Sequence, residues 1–253
     1  MRNPKALPAF PPFGRAQELQ VAFQPVVTTT DQSVRVFAYE SFLRVGNPWN
    51  TSALANLIAT AEFDSSIIDL DTWVINDVCR RLVLDPELKI WANASQISLA
   101  EPGFISSIID LADSMGVRDR LTIEMTESAD GDSATLRRNL EHLRVQAIAV
   151  VLDDIADGYA KRCLLDSDAV VGCKFSLETK RLMQVDPEAR RSVIELTEWC
   201  HRQGKSVVME GIETPAEYRM ACDIGIGFQQ GYLFAKPWHL EDLPSMGALL
   251  PLP

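Results

Sequence analysis

The chain has 253 residues, 47% of them hydrophobic and 23% charged, and a net charge of −11. That hydrophobic share supplies a sizeable core and argues against global disorder, while the length suits a single β/α barrel of roughly 250 residues. The acidic balance, 35 Asp and Glu against 24 Lys and Arg, argues against non-specific binding to DNA, RNA or an anionic membrane surface.

A small anionic ligand stays open, because a bound metal reverses the local field. The cysteines Cys79, Cys163, Cys173, Cys200 and Cys222 are scattered without a CxxC spacing, and read as reduced thiols. The N-terminus has no apolar run between its prolines and is not a signal peptide. No stretch of about 18 uncharged apolar residues occurs, so no membrane span is expected. The expectation is a soluble, cytoplasmic protein.

In chain order, residues 1–19 are proline-rich and carry no hydrophobic period, which reads as an extended N-terminal tail. Residues 20–253 read as one barrel domain, because short β-rich runs alternate with longer helical patterns. The predicted strands are Val21–Thr28, Arg35–Val45, Lys89–Ala94, Leu121–Thr126, Ala147–Asp153, Ala169–Phe175, Ser206–Met209 and Phe228–Phe234. The first two follow each other through Thr29–Ser33 with no room for a helix, which predicts a hairpin. Helical patterns cover Ile67–Leu84, a segment opening at Pro102, Ala134–Leu143, Pro187–Gln203 and Pro215–Cys222. In the first of these Ile67, Leu70, Asp71, Val74, Val78 and Leu82 share a face, and Pro187 and Pro215 suit a first helical turn. The fold class is α/β: a single TIM-like β/α barrel with one antiparallel strand pair.

Polar residues recur at the strand ends. Glu40 lies on strand two, Asn93 ends strand three, Glu124 strand four and Asp153–Asp154 strand five; Lys174 ends strand six, Glu210 strand seven, and Gln230 lies on strand eight. Any one acid after a strand is ordinarily a helix cap or a solvated loop charge, an Asn there a turn former, and a Lys a side chain snorkelling from the rim. The joint pattern says more. In a β/α barrel the carboxyl ends of the strands converge on the face that carries the chemistry. Acids gathered there repel unless something positive sits among them, and oxygen ligands without clustered His or Cys select Mg²⁺, Mn²⁺ or Ca²⁺ over Zn²⁺. The three histidines, His142, His201 and His239, fall outside this set.

The motifs then resemble those of a known family. Phe23-Gln24-Pro25 followed by Glu40-Ser41-Phe42-Leu43-Arg44 resembles the opening of EAL domains. Trp91-Ala92-Asn93-Ala94-Ser95, Glu124-Met125-Thr126-Glu127, Asp153-Asp154, Lys174, Glu210-Gly211-Ile212-Glu213-Thr214 and Gln230-Gly231-Tyr232-Leu233-Phe234 resemble its later motifs, in the family's order over roughly residues 20–240. The resemblance implies metal-dependent hydrolysis of the bacterial second messenger cyclic di-GMP to linear pGpG. It implies two divalent metals, Mg²⁺ or Mn²⁺, on Glu40, Asn93, Glu124, Asp153 and Asp154, with Glu210 and Gln230 completing the shell. Glu40, Asp154, Glu210 and Lys174 would act in catalysis. Lys174 would position the attacking water or neutralise developing charge, Arg44 would contact phosphate, and Gln24 and Gln230 would contact substrate. Glu127 would brace the loop after strand five. A homodimer, or a separate regulatory protein, is the implied partner.

Three departures stand out. The signature reads Glu-Ser-Phe. After the paired Asp the family's Phe-Gly-Thr-Gly-Tyr is Ile155-Ala156-Asp157-Gly158-Tyr159, and its Lys-Ile-Asp is Lys174-Phe175-Ser176. Retention of every expected ligand favours the enzyme. The altered loop and the missing Asp favour the alternative, a catalytically weak or silent EAL domain that acts as a cyclic di-GMP receptor or protein-interaction module. An unrelated metal-dependent barrel enzyme would have to reproduce the motif order by chance.

Overall fold

A computed structural model of the chain describes residues 19–30, 33–46, 49–126, 133–155 and 163–251. Its first two strands, β1 (Leu19–Thr30) and β2 (Ser33–Val45), form the expected antiparallel hairpin, with Gln24 opposite Glu40 and a register shift between Val26 and Val27. The helices α1 (Thr51–Phe63) and α2 (Ile67–Leu84) follow, then β3 (Ile90–Ala94), α3 (Gln96–Ala100), α4 (Pro102–Met115), β4 (Leu121–Met125), α5 (Ser133–Val145) and β5 (Ala149–Leu152). The second half runs β6 (Val170–Phe175), α6 (Leu177–Val185), α7 (Pro187–Arg202), β7 (Ser206–Met209), α8 (Pro215–Asp223), β8 (Phe228–Gln230) and β9 (Leu249–Leu250).

Strands β2 to β8 pair in sequence order and in parallel. β1 lies antiparallel to both β8 and β2 and so closes the barrel. The short β9 adds to the outer end of β2, where Val34 faces Leu250. Among the eight described barrel strands the hairpin therefore supplies the one, β1, that runs against the other seven.

The α2 boundaries agree with the apolar spacing, and all six residues placed on its face are buried. Other boundaries move for local reasons. β5 starts at Ala149 because Ala147 takes a positive φ of 60° in the turn that ends α5. β8 stops at Gln230 because Gly231, with φ 157°, turns the chain back, and Phe234 N donates to Gly231 O at 3.1 Å. The helices α1, α3 and α6 and the strand β9 were not anticipated.

Strand pleating sorts the side chains into two populations. Outward-facing residues such as Tyr39, Ile90, Ile123, Leu152, Phe175 and Met209 join the main core beneath the helices. Inside the barrel, Val26, Ala38, Trp91, Val151 and Val208 form a separate buried cluster, with Phe37 and Phe228 packed against it. This plug fixes the height of the polar layer, because Glu40, Asn93, Asp153, Glu210 and Gln230 lie two residues beyond Ala38, Trp91, Val151, Val208 and Phe228. The antiparallel β1 presents the reverse order, Gln24 then Val26. The plug depends most on its largest member: Trp91→Ala should cost about 3–5 kcal/mol. Thermal melts should then show a fall in Tm of about 10 °C; an unchanged Tm would show that the plug does not carry the barrel.

Candidate functional site

The polar layer centres on Lys174, which β6 carries into the barrel and leaves with no exposed surface. Its Nζ lies 2.6 Å from Glu40 Oε2, 2.6 Å from Glu124 Oε1 and 2.5 Å from Glu210 Oε1. Oxygens of those three carboxylates lie within 4.8 Å of one another. Each arrives on a different strand, and the ladders continue past the last regular residue: Glu210 N donates to Phe175 O and Asp153 N to Met125 O, both at 3.0 Å. Asn93 Nδ2 donates to Glu40 Oε1 and to Ser41 O, both at 3.0 Å. These two bonds fix the amide and leave its Oδ1 as the acceptor end.

At the end of β5, Asp153 Oδ1 accepts from Asp154 N at 2.9 Å. Asp154 itself takes φ 46°, a left-handed conformation that Asp adopts more readily than other side-chain-bearing residues. Consecutive carboxylates are thereby held at one strand end. Gln230 is buried beside this layer on β8. Gln24 is buried opposite Glu40 and donates Nε2 to Ala235 O at 2.8 Å. Arg44, four residues along β2 from Glu40, lies over the Phe42 and Trp49 rings at 5.1 and 5.3 Å and donates to Leu43 O. The structure thus brings Glu40, Glu124, Glu210, Asn93 and Lys174 into direct contact. Glu127 and residues 156–159 lie outside the described residues.

Electrostatics follow from burial. Desolvation and the charge of Glu40 hold the Glu124 carboxyl well above the usual range, against the pull of Lys174. Burial pushes Glu210 up to about 7, against Lys174 and with help from Glu40 and Asp153. Burial pulls Lys174 down, but the charges of Glu124, Glu210, Glu40 and Asp153 outweigh it and lift the ammonium well above its ordinary value. One ammonium therefore faces an excess of carboxylates. Among the described residues, Glu124 Oε2 and both polar side-chain atoms of Gln230 are buried without a hydrogen-bond partner. Surplus negative charge with an unpaired carboxylate oxygen fits a further cation, and an all-oxygen donor set suits a hard divalent one.

Some features escaped the sequence reading. Asp71, grouped there with an apolar face, accepts from Ser95 N at 2.8 Å and Ser98 Oγ at 2.7 Å, and burial pushes it up to about 6. It ties α2 to the turn after Asn93. Ser176, in place of the family's Asp, caps α6 by accepting from Thr179 N at 3.3 Å. Ser41 is buried with its Oγ unpartnered among the described residues. Trp49 packs on Trp238 at 5.3 Å beside Arg44. The only signal for this last contact was a tryptophan directly after Lys236-Pro237.

The EAL domain profile matches residues 8–237. The chain belongs to the EAL-domain family. PdeG of Escherichia coli (strain K12), described as a probable cyclic di-GMP phosphodiesterase, is 27% identical over 235 residues, 89% of this chain and 46% of PdeG. This EAL-domain chain thus spans about half the length of that relative. Among solved structures, a cyclic di-GMP complex of the PaMucR phosphodiesterase has a TM-score of 0.79 at 22% identity, covering 88% of this chain and 93% of that one. A manganese and cyclic di-GMP complex of Klebsiella pneumoniae BlrP1 has a TM-score of 0.74 at 24% identity, covering 93% of this chain and 58% of that one. At these identities the likeness shows the fold.

The charge balance around Lys174 is testable in metal-free protein. Lys174→Met leaves the buried Glu40 and Glu124 and the partly buried Glu210 without their cation and should cost about 3–5 kcal/mol at pH 8. Acids whose folded pKa lies above the unfolded value retain extra protons in the native state. Their stabilisation is present at low pH and lost as pH rises from the unfolded Glu value through about 7 for Glu210. The Tm deficit of Lys174→Met should therefore shrink at pH 5.5. Equal deficits at pH 5.5 and pH 8 would rule out the charge account.

Proposed function

We propose that this domain hydrolyses one phosphodiester bond of cyclic di-GMP to give linear pGpG in bacterial second-messenger signalling, with two divalent ions, Mg²⁺ or Mn²⁺. The observation that carries this reading is Lys174 ringed by Glu40, Glu124 and Glu210 at the mouth of an EAL-family barrel, with Glu124 Oε2 left over. A relative described as a probable cyclic di-GMP phosphodiesterase, and neighbours of the same fold in complexes with cyclic di-GMP and with manganese, support it.

In this reading Glu40, Asn93, Glu124, Asp153 and Asp154 hold the ions, and Glu210 and Gln230 complete the donor set. When bound, the ions supply a readily deprotonated water and a clamp on the phosphate for in-line displacement. Lys174 Nζ keeps its proton, because its carboxylate ring favours the charged form, and so stands as a fixed positive charge beside the developing negative one. In the metal-free protein burial holds the Glu210 carboxyl up at about 7, so joining the donor set would release its proton. Arg44 presents a guanidinium that matches a phosphate's oxygens. Gln24 spends Nε2 on Ala235 O, which leaves Oε1 to accept from a guanine N–H. By the family's pattern Glu127, which lies outside the described residues, would brace the loop after β5. No described helix is long and apolar enough to cross a membrane. Cytoplasmic placement, and a homodimer or a separate regulatory protein as partner, belong to the same reading.

Ser176 favours a second reading, a receptor that binds the nucleotide without turning it over. Its hydroxyl is engaged as a helix cap and brings no carboxylate to the mouth.

Incubation with cyclic di-GMP and Mn²⁺ or Mg²⁺, followed by chromatography, should yield pGpG, and chelation should stop the reaction. Nucleotide binding without product would replace the enzyme by the receptor. Glu40→Ala should stay folded and lower the rate by about 100-fold or more; full activity in that variant would remove Glu40 from the mechanism. Asp153→Asn, which deletes a formal charge from the donor set, should weaken Mn²⁺ binding by about tenfold in titration calorimetry. Unchanged affinity there would count against the site as drawn.

A further inference from the structure

The loop that presents Glu210 is gripped by a second buried lysine. Residues 210–214 lead from β7 into α8 between two close approaches. On one side Gly211, at φ 63°, sits so near α6 that a Cβ would stand 2.6 Å from Leu177 Cδ1. On the other, a Cβ on Gly231 would meet Ile212 O at 2.1 Å, and Ile212 N donates to Gln230 O at 3.0 Å. Backbone held this closely has little freedom to move, so whatever anchors Gly211 also sets the height of Glu210.

Lys180 supplies that anchor. It lies on α6 with 1% of its side chain exposed, and its ammonium donates to Gly211 O and to Glu217 Oε1. The other oxygen of Glu217 accepts from Glu213 N at 2.8 Å and Thr214 N at 3.0 Å. Thr214 Oγ1 accepts from Glu217 N in return, which completes a capping box at the start of α8. A lone buried ammonium is costly, and Glu217 is the counter-charge that lets it sit there.

The two lysines are six positions apart on one strand–helix unit and act on consecutive residues. Lys174 on β6 holds the carboxylate of Glu210, and Lys180 on α6 holds the carbonyl of Gly211. We propose that Lys180, with Glu217 as its counter-ion, is a positioning residue that sets Glu210 against Lys174 and thereby tunes the affinity of the barrel mouth for a divalent cation. This rests on the metal-dependent reading above. It adds a pair of charges, outside the mouth, on which that reading depends.

The test compares Lys180→Met, Lys180→Arg, Glu217→Gln and Lys205→Met in the full chain. Lys205 is the control: it is a buried lysine that also ties down backbone, at Ser167 O and Val170 O (2.9 and 2.6 Å), at the far end of the strands. Mn²⁺ binding to metal-free protein is measured by titration calorimetry, folding by thermal melts, and kcat and KM with cyclic di-GMP. Lys180→Met should raise the Mn²⁺ Kd about tenfold and lower kcat to a similar extent, with KM within about twofold. Lys180→Arg should recover most of the affinity, and Lys205→Met should lose Tm while keeping the wild-type Kd.

A folded Lys180→Met with wild-type Mn²⁺ affinity would overturn the proposal. So would Lys205→Met weakening Mn²⁺ equally, since the effect would then be general destabilisation. If Lys180→Met fails to fold, Glu217→Gln decides, because its one remaining acceptor oxygen can serve either the Glu213 and Thr214 amides or Lys180, and the counter-charge is gone in both cases; an unchanged Kd there overturns the proposal. Should wild type bind Mn²⁺ without hydrolysing the nucleotide, a weakened Lys180→Met still supports positioning while the phosphodiesterase reading falls. A wild type that binds no Mn²⁺ sinks both.

Discussion

An ammonium group enclosed by three carboxylates is the contact around which this barrel is arranged. Lys174 has no exposed surface, and Glu40, Glu124 and Glu210 reach it from three other strands. Removing such charges from water costs several kcal/mol per ion, and close attraction repays this only when the geometry is good. The apolar plug beneath, built on Trp91 and its neighbours, excludes water and so strengthens every electrostatic term above it. The same dryness raises the cost of the charge left over. An arrangement that stabilises itself only in part is suited to receive a further cation.

Holding that arrangement requires local concessions from the chain. Asp154 takes a left-handed backbone conformation at the end of β5, and conformations of this kind persist where surrounding structure dictates them. Asn93 spends both donor hydrogens on Glu40 and Ser41 O. Buried polar residues then tie the strand ends to the outer helices, as Asp71 does at the start of α3 and Lys180 does beneath Gly211. These contacts lie outside the mouth, yet they determine where its carboxylates stand.

Ser176 shows how a single departure redistributes roles. It caps α6, a task that Ser performs as well as Asp, so the helix is kept while one carboxylate is absent. Four residues on, Lys180 brings a positive charge to the same region, neutralised by Glu217. The loop between β7 and α8 is thus braced by charges on α6 and α8.

Much of this was legible in the sequence. The barrel, its hairpin and the α2 boundaries follow from apolar period and turn composition, because burial on one face writes a repeat into the chain. The order of the strand-end polar residues, together with the resemblance they carry, indicated which side chains share the mouth. Other elements left no such trace. In α6 the buried face consists of Thr179, Lys180 and Met183, so that helix shows no clear hydrophobic stripe, whereas in α1 Leu54, Leu57, Ile58 and Ala61 do recur at helical spacing and pack together, a pattern the sequence carries. Sequence also could not say which acids touch Lys174, that β1 would close against β8, or that Lys180 would meet Glu217. Those pairings join residues that are distant along the chain, and strand register and helix packing decide them; composition and spacing record only which residues are available.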